Sequence, residues 1–313
     1  MFVFIILDVI LPILILMLIG AILQRKFQFN LKQLSTLITY CLMPAAVFVN
    51  IYDISIETGL LLQIIYYLML YSLSLIIVSH FISKTLKLEK GESAALKNSI
   101  SLMNSGNYGL PVSQLIFSHN PVGVSIQIFI VIFQNLLTYS YGIYNLLSAT
   151  KTIGGIIQSF LRLPVFHALV LGVLFQSFKI QIPNSILLPL NQLANGFVAI
   201  ALILLGAQLS NIKLNFFHRV ITWALIGRLL MGPLLALAVI YILNIDGIVA
   251  QSLFIASSFP TSRNTSTIAM EYQIEPELHA QIVLFSTIFS IITVTVVIYH
   301  IFCFEYTCKN EKI

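Results

Sequence analysis

About ten apolar runs follow one another along the chain, each close to the ~20 residues that a helix needs to cross the ~30 Å hydrocarbon layer of a bilayer. They fall near residues 2–23, 33–51, 59–82, 93–118, 122–146, 164–180, 186–207, 217–243, 248–272 and 278–303. The gaps are short and hold turn residues and charges, as at 53–57, 118–121 and 244–247, so no soluble domain fits between the runs. Only 9% of the 313 residues are charged, against about a quarter in a soluble domain. That excludes a cytosolic enzyme, a disulfide-rich secreted domain and a disordered tail. The first run lacks a basic n-region and a small-residue cleavage site and carries Asp8 and Pro12, so it reads as a retained span rather than a signal peptide. The expected fold class is an all-α polytopic membrane protein.

Net charge is +5, but the basic residues sit in the short turns, which points to membrane topology and not to nucleic acid. Arg25, Lys26, Lys32, Lys84, Lys87, Lys90, Lys97, Lys151, Arg162, Lys213 and Arg219 share one face, and Lys179, Lys309 and Lys312 the other. This bias places the first face in the cytoplasm and both termini outside, in a multi-pass protein of the cell (inner) membrane. Cys41, Cys303 and Cys308 have neither disulfide nor metal-site spacing and read as free thiols.

Five spans precede the region 150–159, with its Gly154 and Gly155, and five follow it. An odd number of spans per half makes the second half insert upside down, as in an inverted repeat. The expected division is a first repeat at 1–146, a cytoplasmic linker at 147–163 and a second, inverted repeat at 164–313. Pro12 and Pro164 mark the first span of each half, and Pro111 and Pro260 the fourth.

Those fourth spans, 4 and 9 in chain order, hold residues that a lipid-facing helix avoids. One carries Asn104-Ser105-Gly106-Asn107-Tyr108-Gly109-Leu110-Pro111, the other Ser257-Ser258-Phe259-Pro260-Thr261-Ser262-Arg263-Asn264. Gly and Pro weaken a helix interior by about 1 and about 3 kcal/mol. Broken backbone near mid-membrane is tolerated only inside protein or beside a wet cavity. Interrupted spans at matching positions point to a transport site. The second half-helix of each span would begin there with unpaired N–H groups and a positive dipole end, which favour an anion. Asn107 is a candidate cap before Pro111, and Thr261, Ser262 and Asn264 could cap the other half-helix. Arg263 would add a charge that forks onto a carboxylate.

Arg228 reads as structural, snorkelling toward the cytoplasm or pairing with Asp8. Among other intramembrane polar residues, Asn50 and Gln208 end the second span of each half, and Gln134, Asn135 and Asn195 lie within spans. Most such groups bond between helices. Asn50, Gln134 and Gln208 are kept as pocket candidates. The six histidines are dispersed. No nucleophilic triad, phosphate-binding Gly loop or metal spacing is present, so neither enzyme chemistry nor a cofactor is expected.

Several stretches resemble the auxin efflux carrier family. They are Leu42-Met43-Pro44-Ala45, Asn104-x-Gly106-x-x-Gly109-x-Pro111, Arg228-Leu-Leu-x-x-Pro233, and the pattern from Pro260 through Ala269 and Tyr272 to Ser286-Thr287. The resemblance implies ten transmembrane helices in two inverted five-helix repeats with broken, crossing helices 4 and 9, related to the bile-acid sodium symporters. It implies a scaffold of helices 1, 2, 6 and 7 with dimer contacts, and a transport domain of helices 3–5 and 8–10. Pro111 and Pro260 match the family's crossover prolines, and Asn104 or Asn107 its crossover asparagine. The short link between helices 5 and 6 resembles bacterial permeases, which implies a small organic anion such as malate or malonate as substrate. The substrate-binding set expected is Asn104, Asn107, Gly109, Pro111, Pro260, Thr261, Ser262, Arg263 and Asn264, with Asn50, Gln134 and Gln208. Na⁺ and H⁺ are the candidate coupling ions. The alternatives are a sodium-coupled symporter of the bile-acid type and, more remotely, a non-transporting membrane receptor.

Overall fold

A computed structural model describes residues 7, 11–52, 58–147, 164–210 and 218–310. Asp8 and residues 148–163 of the expected linker lie outside the described residues. The helices are α1 (Leu11–Phe27), α2 (Leu31–Tyr52), α3 (Thr58–Thr85), α4 (Lys90–Ser101), α5 (Leu110–Ile116) and α6 (Pro121–Leu146). Then come α7 (Pro164–Ser177), α8 (Asn184–Leu209), α9 (Arg219–Ile242), α10 (Gly247–Ser257), α11 (Arg263–Tyr272) and α12 (Pro276–Asn310). Among the described residues no sheet forms, and an isolated antiparallel bridge joins Met103 to Thr261.

The helices start where the polar turns supply caps. Asn30 Oδ1 accepts from the backbone N–H of Lys32 and Gln33 at the start of α2. Asn120 Oδ1 does the same for Val122, with Pro121 at the first position of α6, where its missing N–H costs nothing. α2, α3, α6, α8, α9 and α12 are long and apolar enough to cross a membrane, and α7 and α10 are shorter apolar helices. Large apolar side chains such as Leu18, Tyr66, Phe81, Leu234 and Tyr241 face outward, as they do when the surrounding solvent is lipid. Serines and threonines such as Ser79, Ser99, Thr265 and Ser290 are buried.

The chain forms two compact units. One contains residues 15–64 and 105–212, hence most of α1, with α2 and α5–α8. In it α7 and α8 pack on the second half of α2. Gly172 makes room for that contact, since a Cβ there would lie 3.1 Å from the Ile51 side chain. Gly20 and Gly206 bring α1 and α8 into backbone contact. A Cβ on Gly206 would collide with the Met17 carbonyl group, and one on Gly20 with that of Ile203. Small residues allow this close approach where lipid offers helices no hydrophobic drive to associate.

The other unit contains residues 1–14, 65–104 and 213–313. In it α9 packs on α4, α10 and α12, and α10 and α11 pack on α12. Short π-helical turns interrupt α2 at Ile38–Leu42 and α9 at Ile226–Met231, and another, Ser105–Gly109, precedes α5.

Candidate functional site

Both suspect spans are broken. α4 ends at Ser101, and the chain runs extended through Leu102 before the π-helical turn that leads into α5. α10 ends at Ser257, and α11 begins at Arg263. Residues 102–104 and 260–262 pair as a short antiparallel ladder. Asn104 N–H donates to Pro260 O at 2.8 Å, and Ser262 N–H to Leu102 O at 2.8 Å. Pro260 has no N–H, but its carbonyl is available and is used. The break thus satisfies backbone groups that no lipid or helix would.

The ends of the half-helices are accounted for group by group. At the C-terminus of α4, Asn98 O accepts from Leu102 N–H, Ser99 O from the Thr261 hydroxyl at 2.9 Å and Ile100 O from Arg228 Nη1 at 3.0 Å. At the C-terminus of α10, Ser257 O accepts from Arg228 Nη2 at 2.7 Å. Thr261 N–H donates to Ser286 Oγ of α12 at 3.1 Å. Thr261 therefore ties both broken spans to α12. Thr261→Val keeps the shape and removes the hydroxyl donor, leaving Ser99 O buried without it. The expected cost is about 1–3 kcal/mol, read as a lower midpoint in a thermal unfolding scan.

At the N-terminus of α11, Ser262 Oγ accepts from Asn264 N–H at 3.3 Å. Of the three expected cap residues, Ser262 caps, and Thr261 instead turns its hydroxyl to α4. Arg263 and Asn264 are half-buried in the first turn, which carries no acidic residue. A cation at that end adds to the positive dipole instead of offsetting it. Asn104 is 4% exposed, and its side-chain Nδ2 is buried without a hydrogen-bond partner. An orphaned amide donor thus sits on the segment laddered to Pro260, just before α11.

The remaining expected residues belong to the other unit. Gly109 and Pro111 are buried, and Pro111 stands in the first turn of α5. Asn107 lies inside the π-helical turn, and the residue at the cap position is Gly109, with no side-chain cap. The expectation that Asn107 caps α5 is corrected on this point: the extra residue of the π turn moves it away from the helix start. The Ser105 carbonyl of this turn accepts from Gln127 Nε2 at 2.9 Å. Gln127 is buried, and its Oε1 has no partner. Asn50 Nδ2 donates to Ala46 O of its own helix at 2.7 Å. Gln134 is buried in α6, and Gln208 is half-buried near the end of α8.

Sequence reading missed Gln127 and the true setting of Arg228. Gln127 was signalled only by an amide inside the apolar run of α6. Arg228 does not snorkel. It is fully buried, because Tyr71, Ile100 and Ser257 all turn acceptors toward it. Among the described residues no group of His, Cys, Asp or Glu forms a metal site.

The two broken spans are thus laddered through backbone, with cationic and amide groups beside them. Residues 155–298 match the family model described as membrane transport protein. The chain is similar to an uncharacterized transporter of Methanocaldococcus jannaschii, 27% identical over 308 residues, which covers 92% of this chain and 96% of that protein. It is also similar to an uncharacterized transporter of Methanothermobacter thermautotrophicus, 27% identical over 297 residues, 91% of this chain and 95% of that protein. Both relatives match the chain through nearly their whole length, both broken spans included, and its apolar helices are those of a multi-pass membrane protein.

Proposed function

We propose that the protein is a secondary transporter of a small organic anion, a carboxylate such as malate or malonate, driven by the substrate gradient or the membrane potential. The observation that carries this reading is the buried, unpartnered Nδ2 of Asn104 on the segment laddered to Pro260, beside a helix N-terminus that starts with an arginine. A buried donor without an acceptor is costly. A carboxylate oxygen supplies the acceptor and the charge that the positive helix end and Arg263 favour.

The leading substrate-binding residues are Asn104, Pro260, Thr261, Ser262, Arg263 and Asn264; Asn107, Gly109, Pro111, Asn50, Gln134 and Gln208, which belong to the other unit, are further candidates. The architecture is two inverted five-helix repeats in a homodimer, with both termini extracytoplasmic. α1, α2, α7 and α8 form the scaffold, and the broken spans move against it in an elevator-like step. The grouping of α1, α2, α7 and α8 in one unit and α4 with α9–α12 in the other supports this division, although α5 and α6 fall with the former.

The test is thermal stabilisation of the purified protein across a panel of mono- and dicarboxylates. A ligand of the native state raises the midpoint by mass action, by about 2.7 kcal/mol at one hundred times its dissociation constant. One carboxylate class is expected to stabilise the wild type and to lose at least about tenfold in affinity, roughly 1.4 kcal/mol, in Arg263→Ala and in Asn104→Ala. Arg263→Lys, which keeps the charge and loses the fork, is expected to fall between. Undiminished stabilisation in Arg263→Ala and Asn104→Ala would remove these residues from the site.

A further inference from the structure

The geometry points to Arg228 as a tethered cation that fills the carbonyl ends of both broken helices, where a carrier of this kind would otherwise hold a coupling ion. Its guanidinium donates through Nη1 to Ile100 O at 3.0 Å, and through Nη2 to Ser257 O at 2.7 Å and to the Tyr71 hydroxyl at 2.9 Å. Ile100 stands in the last turn of α4, and Ser257 is the last residue of α10. The two carbonyls are thus the C-terminal ends of the first half-helix in each broken span. Arg228 is 0% exposed. Among the described residues no carboxylate lies within ion-pair reach of it.

A buried charge needs compensating partners. The helix ends that face Arg228 supply negative charge. Each C-terminus carries the equivalent of about half a negative charge, and two of them balance one guanidinium. Broken-helix transporters bind coupling cations with these same groups, unwound carbonyls and half-helix C-termini. In this protein the covalently held guanidinium takes them instead. The local backbone is shaped to bring it there. Arg228 lies inside the π-helical turn Ile226–Met231 of α9. Gly227 lets that turn meet α4, since a Cβ there would lie 2.5 Å from Ile100 Cδ1. Gly232, one turn on, leaves room beside Ser257 O, the Tyr71 hydroxyl and Arg228 Nη2.

Two consequences distinguish a tethered cation from a merely buried arginine. The wild type has no vacancy for a monovalent cation at the crossing, and truncating Arg228 creates one with a defined ligand set. The inference rests on reading the crossing as a carrier's site, but it is measured without substrate, so a failure to transport carboxylates leaves its outcome separate.

The experiment records the thermal midpoint of the purified full-length protein, substrate-free, in NaCl, KCl or choline chloride at equal ionic strength. The wild type is expected to show no saturable Na⁺ effect, its midpoints agreeing within about 1 °C, because no mass-action term exists for an ion without a site. Arg228→Ala is expected to have a lower midpoint, recovered saturably by about 10 mM methylguanidinium and not by equal choline, as a vacated site predicts. Arg228→Lys is expected to retain part of the wild-type midpoint and to gain less from methylguanidinium. A saturable stabilisation of the wild type by Na⁺ would overturn the assignment, even if no Arg228 variant could be purified. A midpoint of Arg228→Ala indifferent to methylguanidinium would overturn it as well.

Discussion

Gly206→Val is expected to yield no monodisperse, folded protein under conditions in which the wild type is stable. α1 and α8 meet backbone to backbone. The first side-chain atom added at residue 206 would overlap the Met17 carbonyl group and lie 2.6 Å from Met17 Cα. A rotamer change relieves a collision between side chains, but a Cβ has no rotamer. The helices must separate, and the reciprocal contact of Gly20 with Ile203 separates with them. Ordinary overpacking costs about 1–3 kcal/mol, and a collision with main chain on both sides of one crossing belongs among the exceptional losses of about 4 kcal/mol or more. Gly196 on the same helix has no atom within 4 Å of its added Cβ, so Gly196→Ala is expected to change stability by no more than about 0.5 kcal/mol. Size-exclusion profiles and thermal scans of the pair separate loss of this crossing from a general intolerance of α8 to substitution.

Arg228→Met is expected to destabilise the protein by about 3–5 kcal/mol, the range for breaking a buried charge network from one side. Methionine fills much of the same volume, so the loss is not mainly a cavity. Ile100 O, Ser257 O and the Tyr71 hydroxyl each lose a donor at 2.7–3.0 Å, in a place that water does not reach. The two helix ends also lose their balancing charge. At ~2–4 °C per kcal/mol for a large domain, the midpoint is expected to fall by about 10 °C. Tyr71→Phe removes one of the three acceptors and leaves both carbonyls held, so it is expected to cost only about 1–2 kcal/mol. A double-mutant cycle between the two positions should give a coupling well above zero, because they share one network.

The breaks were legible in the sequence because their cause is local. Gly106, Gly109 and Pro111 in one span, and Pro260 in a polar run in the other, oppose a continuous helix in any surroundings. What fills the breaks was not legible, because it depends on residues far apart in the chain. Arg228 reaches Tyr71 across 157 positions and Ile100 across 128. Nothing in its own neighbourhood distinguishes a clamp from a snorkelling arginine. The π-helical turns escaped for a related reason. One extra residue per turn leaves no mark on the apolar pattern, and it was enough to move Asn107 off the cap of α5. The role of Gly206 was not legible either, since a glycine becomes a contact only when another helix, here α1, lies against it. Ser262, by contrast, caps the half-helix that its position before Arg263 indicated.

If the crossing serves a small carboxylate, proteoliposomes of the purified protein accumulate one. Labelled malate and malonate are offered across an imposed K⁺ diffusion potential, with a neutral solute and an organic cation as controls. Saturable accumulation of a carboxylate is expected, increasing when the interior is made positive, as movement of net negative charge requires. Arg263→Ala, though still folded, is expected to lose most of that accumulation. Uptake of the neutral or cationic solute alone, or carboxylate uptake undiminished in Arg263→Ala, would overturn the carboxylate site.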